Sequence, residues 1–278
     1  MKRSVPLVMF GLLCALWTNP ASATLTLRWR MNLPTPLDDS AGTNDLVLPG
    51  GSANPTHLPG GGVFGSGGYD FDGVNDYLKP TTIPTNIGPI ANDWTASFWI
   101  KTTDTGTSTP YSAGTPHIPV LGDISNAIGF AVGVHGGVPA FRHYNGIGAF
   151  GGWVHADGTI NVANGIGNYV TFVHHGGPKT VDIYVNGAPD TLGLAAGDNG
   201  GPYPYDFRDI GRSYNNGVIG HYGLMTLDEV QLYNTALTQA QILEAISPPV
   251  PEPSSLVLLG LGAVGLAGKV RRRKRPTA

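Results

Sequence analysis

The chain has 278 residues, with 16 lysines and arginines against 19 aspartates and glutamates, for a formal net charge of −3. Forty-one glycines and 23 prolines call for many turns, and a single cysteine excludes a disulfide scaffold. The small net charge hides an uneven distribution: residues 24–250 carry 8 basic and 18 acidic side chains, a balance that repels phosphate backbones and excludes DNA or RNA as partner.

From the N-terminus, Lys2 and Arg3 are followed by an apolar stretch, Val5 to Trp17, and by the small-residue site Ala21-Ser22-Ala23. That is the pattern of a secretory signal helix, residues 1–23, cut by signal peptidase before Thr24. The only cysteine, Cys14, lies inside it, and Leu13 before it does not suit lipidation, so the mature chain has no thiol. An exported protein without disulfides is held by its core, with metal as a further aid.

Residues 24–247 read as one all-β domain, because the apolar runs are short and alternating and no linker divides them. Leu25–Met31 is a first strand that can pair with the closing one. Further strands are expected at Gly68–Phe71 and Tyr77–Lys79. Trp94, Ala96, Phe98 and Ile100 alternate with Thr95, Ser97, Trp99 and Lys101, a strand buried on one face. Ile118–Leu121, Ile128–Val134 and Ala140–Tyr144 follow. Val170 and Phe172 then pair with Val181, Ile183 and Val185 across His175-Gly176-Gly177-Pro178, and Asp206–Gly211 and Met225–Tyr233 complete the set. Thr238, with Gln241 three residues on, opens the one helix by a capping box, and Ile242, Leu243 and Ile246 are its docking residues. Many short strands with Gly/Pro turns predict a two-sheet antiparallel jelly-roll sandwich with a short C-terminal helix.

The tail has three parts. Val250-Pro251-Glu252-Pro253-Ser254-Ser255 is held extended by its prolines. The apolar stretch 256–270 spans about 22 Å as a helix at roughly 1.5 Å per residue, short of the ~20 residues of a lasting membrane span. That stretch can enter a bilayer as a helix, and the basic cluster of Lys269 and Arg271 to Arg275 is held on the cytoplasmic side. A short, weak stop signal suits a segment that is cut and replaced. In order, the parts resemble the PEP-CTERM sorting signal of Gram-negative bacteria. That resemblance implies processing by an exosortase, with Pro251, Glu252 and Pro253 as the recognition element and a membrane contact only before processing. The expected destination is the cell envelope, outer surface or extracellular matrix, reached through the inner membrane.

Four motifs in the domain also fall in a recognisable order. Tyr69-Asp70-Phe71-Asp72-Gly73-Val74-Asn75-Asp76-Tyr77-Leu78 resembles the opening FDGxxDY strand pair of LamG-like, concanavalin A-like jelly rolls. Thr95–Lys101 resembles their first core strand, Val181–Gly187 their lYvNG hairpin, and Leu227–Leu237 their DEVrlYnraLt closing strand. The strand before the hairpin lacks the usual Trp-x-His-Val-Ala, and Tyr169 stands where the tryptophan would pack. The resemblance covers residues 65–246 and implies a binding or adhesion module, with carbohydrate as the expected ligand. A matrix component without specific ligand and a divergent glycoside hydrolase are the competing readings.

Catalysis is not expected. The glucanases of this fold share a strand with two carboxylates on one face, set for a retaining mechanism. Here residues 24–250 contain two glutamates only, Glu229 and Glu244, and Asp38-Asp39 falls in a Pro-rich segment outside the motifs. His135, His143, His155, His174 and His175 read as scattered loop residues: neighbours on a strand point to opposite faces, and no metal-site spacing occurs. Calcium is the metal to consider, since it takes oxygens from carboxylates and amides. Asp72, Asn75 and Asp76, joined by Asp228 if the closing strand pairs nearby, are the candidate ligands. The same side chains can instead serve turn N–H groups. Three polar loops, 102–117, 145–167 and 188–205, display Tyr111, Phe150, Trp153, Tyr203 and Tyr205. Of these, Trp153, Tyr205, Tyr203 and Tyr111 are the candidate stacking faces for sugar rings, Trp153 foremost, unless such aromatics pin the loops to the sandwich.

Overall fold

Trp94, Ala96, Phe98 and Ile100, the apolar half of the clearest alternating stretch, are all fully buried. The computed structural model describes residues 23–32, 34–62, 65–82, 92–106, 118–123, 128–145, 152–196, 208–215 and 218–247. These form β1 (Leu25–Trp29), β2 (Leu46–Val47), β3 (Thr56–Leu58), β4 (Gly68–Asp72), β5 (Lys79–Pro80), β6 (Trp94–Lys101), β7 (Ile118–Asp123), β8 (Ile128–His135) and β9 (Val138–Asn145). They continue with β10 (Gly152–Asp157), β11 (Gly167–His175), β12 (Thr180–Val185), β13 (Ala188–Ala195), β14 (Asp209–Ile210), β15 (Arg212–Asn215), β16 (Val218–Tyr222), β17 (Leu224–Tyr233) and the helix α1 (Gln239–Ile246). The expected signal helix and the sorting tail lie outside the described residues.

Two antiparallel sheets make the sandwich. The larger runs β13-β12-β11-β6-β17-β4-β3, with β1 also on β17, and the smaller runs β10-β9-β8-β7-β14. Their facing sides share one core. Trp94 packs against Phe130 with centroids 5.0 Å apart and against Phe141 at 6.2 Å, and Phe98 lies 6.2 Å from Phe172. Emptying the Trp94 site to alanine costs about 3–5 kcal/mol for a large core aromatic.

The polar half of β6 is also buried, which alternation does not predict. Thr95 accepts a hydrogen bond from Leu237 N and donates one to the Thr235 carbonyl, and Ser97 meets the Tyr169 hydroxyl at 2.9 Å. Beside them α1 covers the outer side of the large sheet through Ile242, which packs with Val173, Tyr184 and Leu237. The capping box forms as expected: Thr238 accepts from Gln241 N, and the Gln241 side chain accepts from Thr238 N. Leu243, expected to dock, remains 49% exposed.

β17 supports two strands along one edge. β4 pairs with Leu224 to Leu227 and β1 with Val230 to Tyr233. Between them the ladder with β6 is interrupted, and Glu229 takes φ 48°. Such a bulge bends the strand and turns it from one partner to the next.

Two of the three expected loops contain strands. β10 occupies part of 145–167 because Val154 and Ala156 alternate inward beneath its flanking glycines. β13 occupies part of 188–205 because Asn186 (φ 52°) and Gly187 (φ 77°) close a two-residue hairpin with Val185 opposite Ala188.

Candidate functional site

The turn after β4 uses its carboxylates locally. Asp72 Oδ1 accepts from Val74 N at 2.8 Å and Asn75 N at 3.2 Å, while Asp76 Oδ2 accepts from Asp72 N at 2.9 Å. Burial acts upward on Asp72, but these backbone donors outweigh it and its pKa is lowered. Asp76 is raised, first by burial and then by the negative charges of Asp72 and Asp70. Asn75 donates to the Ser52 hydroxyl at 3.2 Å.

Asp228 does not join this group. Asp72 pairs with Leu224, four positions away along β17, about 13 Å at roughly 3.3 Å per residue. Its carboxylate is buried at the bulge, accepting from Ser66 Oγ at 2.9 Å and from Glu229 N at 2.7 Å. The expected approach of Asp228 to the turn is thus corrected: antiparallel pairing sends it to the opposite end of β4. Among the described residues no group of three or more His, Cys, Asp or Glu side chains is placed to hold a metal.

The histidines are not loop residues either. His135 and His175 end strands, and His143, His155 and His174 lie within them. His174 and His143 are fully buried. His174 stacks on Trp94 with centroids 5.1 Å apart and planes 6° off parallel, and its Nδ1 meets the Asn92 carbonyl at 3.0 Å. Burial lowers its pKa to about 4, against the upward pull of the Asn92 carbonyl, so it is neutral at pH 7.

The outer face of the small sheet carries a different arrangement. Asp209 pairs with Gly122, Gly122 with Ala131, Ala131 with Arg142, and Arg142 with His155. Directly paired residues share a face. The adjacent row, Ile210-Leu121-Val132-Phe141-Ala156, belongs entirely to the core, so this one points away from it. Its middle is bare: Gly122 has φ 145°, and a Cβ there would come within 2.4 Å of the Phe130 carbonyl oxygen. Each end has an ion pair. Arg142, 1% exposed, bonds Asp157, whose side chain is 38% exposed. Arg212 donates from Nε to Asp209 Oδ2 at 2.9 Å while its guanidinium lies 3.5 Å above the Tyr77 ring centre.

Trp153 lies at this sheet's edge, opposite Tyr144 on β9 and two positions before His155, so its backbone is strand and not loop. Its side chain and residues Tyr111, Phe150, Tyr203 and Tyr205 lie outside the described ones. Arg142 and Asp209 escaped sequence reading. The alternation of Trp153, His155 and Asp157 against Val154 and Ala156 was the available signal for β10, and with it for the partner strand that holds Arg142.

A family model for the concanavalin A-like lectin/glucanases superfamily matches residues 72–243. The chain belongs to this superfamily. A second model, the PEP-CTERM protein-sorting motif, matches residues 249–273 and implies export, exosortase processing and sorting to the surface or envelope. No curated protein matches the sequence. Among solved structures, Domain 4 of AbnA, a GH43 extracellular arabinanase from Geobacillus stearothermophilus in complex with arabinotriose, is similar at TM-score 0.54 and 17% identity, covering 81% of this chain and 99% of that one. The receptor binding domain of botulinum neurotoxin C/D mosaic serotype is similar at TM-score 0.56 and 14% identity, with 80% and 51% covered. The binding domain of Paraclostridial Mosquitocidal Protein 1 is similar at 0.54 and 14%, with 80% and 52% covered. This superfamily member therefore spans about half the length of the two toxin domains, and at such identities the likeness is one of fold.

Proposed function

We propose that this protein is an exported, exosortase-processed LamG-like module that binds carbohydrate at the cell envelope or in extracellular polymer without hydrolysing it. The observation that carries the reading is the pairing, on one chain, of a single jelly roll with a sorting motif that begins almost where the jelly roll ends. Recognition by the sandwich is then what the exported part has to offer. The neighbour solved with arabinotriose supports a saccharide as the ligand class.

Binding without turnover is supported by the use already made of the acidic side chains. Glu229 is paired with Arg28 at 2.8 Å and accepts from Gln231, and Glu244 belongs to α1. Asp39 accepts from the backbone N–H groups of Arg28, Ala41 and Asn44. Trp153 is the favoured aromatic contact, with Tyr205, Tyr203 and Tyr111 as the others. Losing one stacking face costs on the order of 1–2 kcal/mol, roughly ten- to thirtyfold in affinity. The test is titration of the exported protein against its host's extracellular polysaccharide, with release of reducing ends followed in parallel. Saturable binding without release, weakened in Trp153→Ala at unchanged melting temperature, is expected. Absence of binding, or steady release of sugar, overturns the proposal.

A further inference from the structure

The outer face of the large sheet opens into a hollow of about 210 Å³, over the end of β6 that lies away from α1. Three neighbouring strands form its floor. Asp70 on β4 pairs with Thr226 on β17, and Thr226 pairs with Lys101 on β6. Their chain neighbours Tyr69, Phe71, Leu227 and Ile100 belong to the core, so this row points outward. Two strand spacings of roughly 4.8 Å set the backbones of Asp70 and Lys101 about 10 Å apart. Thr103, Gly165 and Leu224 complete the walls, and Leu224 is 47% exposed, an apolar side to an otherwise polar hollow. The frame is fixed by its own hydrogen bonds. Thr102 Oγ1 donates to the Leu224 carbonyl at 2.7 Å, and Gly165 N donates to the Thr102 carbonyl at 2.9 Å. Next in the row comes Gly167, where the Trp99 indole fills the place of the missing side chain.

The polar groups of this hollow are not used up. Among the described residues Lys101 Nζ has no hydrogen bond or ion pair. The Asp70 carboxylate accepts from the Thr226 hydroxyl at 2.9 Å through Oδ1 and keeps Oδ2 for another donor. We infer that the hollow is a subsite for one ring of a neutral sugar, on the sheet opposite the one that carries Trp153. The inference rests on the carbohydrate reading above and adds a second place of contact and the ligand class. An ionised carboxylate only accepts and an ammonium only donates, whereas a hydroxyl does both. A ring lying across Thr226 gives one hydroxyl proton to Asp70 Oδ2 and accepts from Lys101 Nζ through another hydroxyl, with its C–H face on Leu224. Volume sets the size: about 210 Å³ is below the ~300 Å³ at which clefts for larger ligands begin, room for one ring and not for a chain. Asp70, Lys101, Thr103, Gly165 and Leu224 are all exposed, so the rest of a glycan leaves freely into solvent. Charge sets the class. One negative and one positive side chain cancel, a uronate would meet Asp70 as well as Lys101, and an amino sugar would meet Lys101 as well as Asp70. The excess of acidic over basic residues in 24–250 also repels a uronate at long range.

The full, host-processed protein, labelled at its leucine and threonine methyl groups, is titrated with the methyl glycosides of glucose, galactose, mannose and arabinose, and with glucuronate and glucosamine. A neutral glycoside should bind with the millimolar strength of a single ring and shift the Leu224 and Thr226 methyl signals. Its affinity should stay nearly constant between about 0.05 and about 0.5 M salt, because no ion pair forms with the ligand. Asp70→Asn and Lys101→Met, both at exposed positions, should each weaken it on the order of tenfold at unchanged melting temperature. Equal affinity in wild type and both variants overturns the site. Tighter binding of glucuronate or glucosamine than of every neutral glycoside overturns the ligand class. Binding of host polysaccharide without any of the single sugars overturns the inference and leaves the carbohydrate reading standing. No binding of either kind sinks that reading and the inference with it. Should a substitution lower the melting temperature, the wild-type methyl signals decide: unmoved at saturation with the neutral glycoside, they overturn the inference.

Discussion

His174 predicts a loss of stability as the pH falls. Its ring lies flat on Trp94 in the core and its pKa is lowered to about 4 by burial, from an ordinary 6.5. Above pH 6.5 the residue is neutral folded or unfolded and contributes no pH dependence. Below 6.5 the unfolded chain takes up a proton that the folded core refuses, so stability falls, and the fall ends only near pH 4, where the folded state accepts the proton too. At about 1.4 kcal/mol per pH unit, the interval corresponds to about 3 kcal/mol lost between pH 6.5 and pH 4. The assay is urea denaturation at half-unit pH steps, comparing wild type with His174→Phe, which keeps a planar ring against Trp94 but does not titrate. Asp72 and Asp76 titrate in both proteins and cancel in the difference. The variant should lose its hydrogen bond to the Asn92 carbonyl at all pH values and yet show the flatter profile. Parallel profiles across this window would refute the assignment of His174 as a buried neutral base.

Further outcomes follow from the bulge, the turn and the tail. Glu229→Gln removes the charge that faces Arg28 at a partly buried pair and should lower stability by about 1–2 kcal/mol, with the larger part of the loss removed by high salt; a loss unaffected by salt would place the effect in the hydrogen bonds from Arg28 Nε and Gln231 instead. Gly122→Ala forces a Cβ against the Phe130 carbonyl and should cost more than the ~1 kcal/mol typical of a residue forced to positive φ; an unchanged melting temperature would show that the strand relaxes there. Asp72→Ala should destabilise by about 1 kcal/mol through lost backbone capping, equally in chelator and in millimolar calcium, whereas a calcium-dependent rise in melting temperature that disappears in the variant would give the turn a metal-binding role. Intact mass of the envelope protein should lack everything beyond the Glu252–Ser254 region, and finding Arg271–Arg275 in the mature form would leave a plain tail anchor.

The sandwich was legible because its strongest signals are local. Trp94 to Ile100 alternate cleanly, Thr238 and Gln241 sit three residues apart, and Leu25–Met31 was expected against the closing strand that β1 does pair with. The histidines were misplaced although His174 continues the parity of Val170 and Phe172, which marks it as core-facing. The burial of Thr95 and Ser97 was hidden because their hydrogen-bond partners, Thr235 and Leu237 for the one and Tyr169 for the other, lie far along the chain. The row from Asp209 to His155 could not be read at all: its members stand at positions 209, 122, 131, 142 and 155, and only strand register brings them into line. Asp228 shows the converse error, since its neighbourhood was judged by strand pairing without counting the register along β4.

The first strand of the sandwich has its ladder on the last, Leu25 lying opposite Tyr233 and Ala23 packing beside the helix that follows. The large sheet therefore cannot be completed until nearly the whole length of the domain is available to it, a long-range pairing of the kind that folds slowly. In sequence, Pro251 comes four residues after Ser247, the cap of α1, so the sorting motif follows directly on the domain it accompanies.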